Sequence, residues 1–119
     1  MAQLSAPRFL STTETQLDGY RIIERMGVVR GITVRSRSVV GLFGAKIQQF
    51  FGGDISLLAD LCEQTRADAF AQAIAHAEAL GGNALVGVRY DATEIMTGVS
   101  EVLCYGTAMR VVPVQDHQT

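Results

Sequence analysis

From Tyr20 to Val34 apolar and polar residues alternate along the chain. Ile22, Met26, Val28, Ile32 and Val34 fall on one side; Arg21, Ile23, Arg25, Val29, Thr33 and Arg35 fall on the other. A period of two with β-branched enrichment predicts one strand or two. Gly27 and Gly31 interrupt it, which predicts a bulge or bend. A short strand over Phe9–Thr13 is expected before it. Further on, Val40, Phe43, Ile47, Phe50 and Phe51 recur at helical spacing among Gly41, Gly44, Gly52 and Gly53, which predicts a short amphipathic helix or ordered loop.

The strongest periodicity lies between Ile55 and Leu80. At 100° per residue Ile55, Leu58, Ala59, Cys62, Ala69, Phe70, Ala73, Ala77 and Leu80 make one stripe, with Asp60, Gln64, Asp68, Gln72 and Glu78 opposite. Asp54 or Ser56 can cap the start, and Gly81-Gly82 can close the end. The alanines allow this helix to approach a sheet closely. Two strands follow, Ala84–Glu94 and Val99–Val112, joined by a turn at Met96-Thr97-Gly98 as an antiparallel hairpin. Val102, Cys104, Gly106, Ala108 and Val112 share one face of the last strand and suit the alanine-rich helix. Leu103, Tyr105, Thr107, Met109 and Val111 make the other face, also largely apolar. A domain with one long helix can cover only one such side, so a second copy is the simplest cover for the other.

The fold class expected is therefore α+β, a small antiparallel sheet packed on one long helix. The chain has 119 residues, 48% hydrophobic and 18% charged, enough for one domain with a core. No apolar run reaches the roughly 20 residues of a bilayer span, and the first residues lack a secretory pattern, so the cytoplasm is expected. The net charge of −2 conceals a split. Between Gly19 and Phe50 six bases face the single acid Glu24, whereas after Phe50 nine acids face Arg66, Arg89 and Arg110. A basic surface for nucleic acid is one reading. The acidic total favours the other, in which one subunit's basic part meets another's acidic part.

Candidate chemistry is sparse. A soft metal such as zinc or copper needs thiolates or imidazoles in sets of about four. Only Cys62, Cys104, His76 and His117 are available, with no CxxC or HxxxH pair. Cys62 and Cys104 can meet in the core, either as small buried hydrophobes or as a thiol pair. Arg66 interrupts the apolar stripe, which predicts an ion pair with Glu63, Glu94 or Glu101 or an anion in a subunit crevice. Arg21, Arg25, Arg35 and Arg37 share parity and can line one face for an anion or a neighbouring subunit; base-stacking aromatics are missing there. Phe43, Phe50, Phe51, Leu103, Tyr105 and Met109 are the expected oligomer interface. No Ser/His/Asp or Cys/His set is present, so no enzyme is expected.

Four segments resemble the YbjQ family, small proteins to which heavy-metal binding has been ascribed. They are LSTTETQLDGYRIIERMGVVRGITVRSRS, the region Val39–Gly53, the helix positions Arg66, Ala69, Phe70, Ala77 and Leu80, and LGGNALVGVRYDA followed by VLCYGTAM. The likeness covers residues 9–112, which marks residues 1–8 and 113–119 as flexible ends. It implies a dodecin-like, ring-forming subunit, assembled as a homopentamer, with a metal as its suggested ligand.

Overall fold

The computed structural model describes residues 8–35 and 55–114. Within them run β1 (Leu10–Ser11), β2 (Tyr20–Arg35), α1 (Ile55–Ala79), β3 (Ala84–Met96) and β4 (Val99–Pro113). The strands form one sheet in the order β1-β3-β4-β2. β4 is antiparallel to both β3 and β2, while β1 runs parallel to β3, with Leu10 beside Ala84. The class is the expected α+β, corrected in one respect: β1 makes the sheet mixed. The helix expected around Phe43, Phe50 and Phe51 lies outside the described residues, as do Arg37 and His117.

β2 is a single strand of 16 residues with two register shifts, between Ile22 and Glu24 and between Arg25 and Gly27. Each shift inserts a residue and reverses which side the next side chains face. Gly27, at φ +96°, supplies the left-handed geometry of the second. Simple alternation therefore fails here. Ile22 packs on one side of the sheet and Met26 on the helix side, although they share parity. Beyond Gly27 the pattern is regular: Val29, Gly31 and Thr33 point under α1, and Val28, Ile32 and Val34 point away.

Small residues decide how α1 sits. Ala69, Ala73 and Ala77 are fully buried against Val29, Leu85, Val88, Cys104 and Ala108. The helix also guards the outer edge of β2, where unpaired N–H groups would otherwise invite another strand. The Arg30 N–H donates to His76 Nδ1 at 3.3 Å and the Ile32 N–H to Gln72 Oε1 at 3.2 Å. The helix closes as expected: Gly81 is at φ +94°, with Gly82 N–H donating to the Ala77 carbonyl and Gly81 N–H to that of Glu78, each at 2.9 Å.

From Ala59 on, the stripe is covered from Thr65 onward. Ala59 and Cys62 are exposed because the sheet runs under the C-terminal half of α1, and Leu80, just past the helix end, is 47% exposed. The second side of the sheet is divided. Ala84, Val86, Met109 and Val111 are covered by Leu10, Leu17, Tyr20 and Ile22 of the chain's own N-terminal part. Met109, expected at an oligomer interface, is thus an internal core residue at 5% exposure. Among the described residues the rest of that side is open. Val28 is 65% exposed, Ile32 39% and Val34 50%, with half-buried Leu103 and Tyr105 beside them on β4. β3 is exposed throughout from Arg89 to Met96, so the far half of the hairpin stands out as an arm.

Candidate functional site: a recess between helix and hairpin arm

Where α1 leaves the sheet, a recess of about 190 Å³ opens between it and the base of the arm. Arg35, Leu61, Cys62, Thr65, Arg66, Ala92, Ser100 and Val102 line it. Arg35 donates to Asp68 at 2.8 Å, and Gln64 braces the other Asp68 oxygen at 2.9 Å. Both partners are partly solvated, so the pair contributes less than about 1 kcal/mol and chiefly orients Arg35. Thr65 donates to the Leu61 carbonyl of its own helix at 2.8 Å.

Arg66 does not take the ion pair expected for it. Its guanidinium carbon lies 5.7 Å from the centre of the Tyr90 ring, a cation–π contact on the exposed side of α1. Tyr90 is the residue that reading the sequence missed. It faces Cys104 across the hairpin, and each group affects the other's ionisation. Counting back from the turn pairs Tyr90 with Tyr105 instead; the register shift between Glu94 and Met96 moves it by one. No residue type announces that shift.

This pairing makes the core sensitive to alkali. Burial pushes the Cys104 thiol above its ordinary 9.0, against an opposing pull from Tyr90. Tyr90 is raised above 10.0, first by burial and then by charge at Cys104, with Arg66 opposing. Both groups ionise more easily in the unfolded chain, so their contribution to stability is complete below the ordinary thiol range and is lost as pH rises through the folded values. Urea midpoints should hold steady near neutral pH and fall above about pH 9. The fall should be shallower in Cys104→Ala, and an equal fall in that variant would remove the thiol from the account.

The three metal candidates do not come together within one chain. Cys104 is buried beside Tyr90, and Cys62 is exposed on α1. His76 lies roughly 21 Å further along the same helix at 1.5 Å per residue, its Nδ1 already accepting from Arg30. Among the described residues no three His, Cys, Asp or Glu side chains converge. A tetrahedral soft-metal centre does not fit this donor set. The two thiols should separate cleanly in Ellman titration: one reacts in the folded protein, and the second only in denaturant. Two fast thiols would contradict the burial of Cys104.

The arginines also divide. Arg21 and Arg35 pair with Val112 and Ser100, on the same side of β4 as Cys104, whereas Arg25 pairs with Met109 on the other side. The two bulges thus break up the single arginine face that parity suggested. Arg25 borders a cavity of about 450 Å³ floored by Ile22, Val86, Met109 and Val111 under Leu17 and Tyr20.

Among the described residues these features define a small α+β fold in which a helix covers part of a four-stranded sheet and leaves an apolar area and an arm in the open. No helix among the described residues is long and apolar enough to cross a membrane. The profile of the YbjQ family, described as "Putative heavy-metal-binding", matches residues 9–112. UPF0145 proteins of Burkholderia thailandensis and Burkholderia mallei are 61% and 60% identical over 103 residues, covering 87% of this chain and 93% of each relative. The crystal structure of a protein of unknown function from Pediococcus pentosaceus, of the DUF74 family, matches with a TM-score of 0.59 at 19% identity, covering 87% of this chain and 98% of that one. That likeness establishes the fold alone. The chain belongs to the YbjQ family, as its four segments implied.

Proposed function

We propose that this chain is a non-enzymatic subunit of a cytoplasmic homo-oligomer, pentameric as the family resemblance implies, whose ligand site is completed between copies. One observation carries the reading: the far part of the second sheet side holds Val28, Ile32 and Val34 in the open, beside Leu103 and Tyr105. Burying one such aliphatic side chain contributes about 1.5–3 kcal/mol, so covering several of them is a substantial drive to associate. His76 is already engaged with the β2 edge, Cys104 is buried, and no histidine or carboxylate among the described residues lines the recess beside the exposed Cys62 to activate it.

Light scattering with and without chelator tests the reading. A mass that is a multiple of 12.8 kDa and indifferent to chelator supports an assembly held by apolar contact. A mass that falls to one chain in chelator would shift the reading to a metal-held assembly. Zn²⁺ and Cu⁺ titrations of the wild type and of Cys62→Ser/Cys104→Ser separate the two further. Equal, negligible uptake is expected; tight uptake by the wild type alone would restore thiolate metal binding as the function.

A further inference from the structure

We infer that the cavity under Leu17 and Tyr20 binds a small apolar monoanion, an aliphatic carboxylate, with Arg25 as its counter-charge. The site lies within one chain and is separate from any contact between copies. Its volume of about 450 Å³ is in the range of small-molecule sites. Its roof is anchored at both ends. The Gly87 N–H donates to the Glu14 carbonyl at 2.7 Å and the Val88 N–H to that of Thr12 at 3.1 Å, which ties residues 12–14 to β3. The Tyr20 N–H donates to the Leu17 carbonyl at 3.1 Å and the Val114 N–H to that of Gly19 at 2.8 Å, which holds the turn before β2 against the end of β4. The space between roof and sheet is thus built into the fold.

The first bulge of β2 decides the charge of this cavity. Ile22 pairs with Val111 and Glu24 with Arg110, so Ile23 is the extra residue and Arg25 falls opposite Met109. Val111, Met109 and Arg25 all line the cavity. A strand without the extra residue would set Glu24 beside Met109 instead, and an acid would repel the ligand that an arginine attracts. Bulges re-aim side chains in this way beside functional sites. Arg25 is the one charged residue among the described residues that line the cavity. It takes no part in an ion pair among the described residues, whereas Arg35, Arg89 and Arg110 are each bonded to a partner. A guanidinium meets the two oxygens of a carboxylate with parallel N–H donors. The floor of Ile22, Val86, Met109 and Val111 suits an apolar body behind that head, and one base balances one negative charge, which favours a carboxylate over a phosphate dianion.

Calorimetric titration with octanoate tests the site. The wild type should take up octanoate saturably, one per chain, and Arg25→Gln should weaken its affinity by about tenfold or more. Arg25 is exposed, so the variant should keep the circular dichroism of the wild type. Arg25→Lys, which keeps the charge and loses the fork, should fall between the two. Octanol, which has the tail without the charge, should bind wild type and Arg25→Gln alike. Arg30→Gln, on the open side beside Ile32, is the control and should leave octanoate binding unchanged. Absence of saturable uptake by the wild type, or an Arg25→Gln variant that binds octanoate as tightly, would overturn the inference. An equal loss of octanol binding in Arg25→Gln would make Arg25 merely structural and overturn it too. So would a loss confined to Arg30→Gln, which would put the anion on the open β-surface.

Discussion

Gly31→Ala is expected to destabilise the protein by about 3 kcal/mol, equivalent to a fall in melting temperature of roughly 10 °C. Gly31 pairs regularly with Cys104 and lies where β2 passes beneath α1. A Cβ there would overlap the carbonyl oxygen of Ala69 and come within 2.6 Å of Ala73 N and 2.7 Å of Gln72 Cβ. Two of those atoms are backbone, so no rotamer change relieves the clash. Either the helix lifts or the strand bends, and both movements strain the Arg30–His76 and Ile32–Gln72 bonds that guard the strand edge. Gly27→Ala makes the contrast. Nothing lies within 4 Å of its Cβ position, so only the left-handed backbone at φ +96° resists, costing about 1 kcal/mol. Thermal unfolding of the two variants side by side checks the account. Equal losses would mean that close helix–strand approach does not hold this fold together.

If the chain assembles as proposed, Ile32→Glu is expected to leave it as single folded chains. Ile32 faces away from α1, lies opposite Leu103 and has 39% of its surface in water. Within one chain the substitution buries no charge, so stability should change by less than about 0.5 kcal/mol. Between copies it would force a carboxylate into an apolar contact, at a cost of several kcal/mol. Ala71→Glu, on the exposed side of α1, is the control and should leave the mass unchanged. Retention of the assembled mass in Ile32→Glu would place the contact elsewhere.

The elements were largely legible because their periods are strong. The alanine spacing of α1, its closing glycines and the turn at Thr97-Gly98 each have a local physical cause, and each stands where the pattern puts it. The fold's finer geometry was hidden in four register shifts, three of which redirect candidate residues. Two in β2 separated Ile22 from Met26 and Arg25 from Arg35, and one in the hairpin moved Tyr90 onto Cys104. A bulge depends on what the partner strand offers as well as on its own residues, so a single chain reading can mark Gly27 as a candidate but not count its consequence. Gly31 illustrates the same limit: it resembled a second bulge and is instead the point where helix and strand backbones nearly touch. Cys62 and Met109 exchanged expected environments for a simpler reason. How far the helix overlaps the sheet, and that residues 10–22 fold over Met109, are decided by tertiary packing rather than by any period.

Sedimentation of the wild-type protein through a dilution series bears most directly on whether the uncovered β-surface needs another copy of the chain. The account predicts a mass that stays a multiple of 12.8 kDa down to low micromolar concentration. A single species of 12.8 kDa that keeps its full strand signal at those concentrations would contradict it.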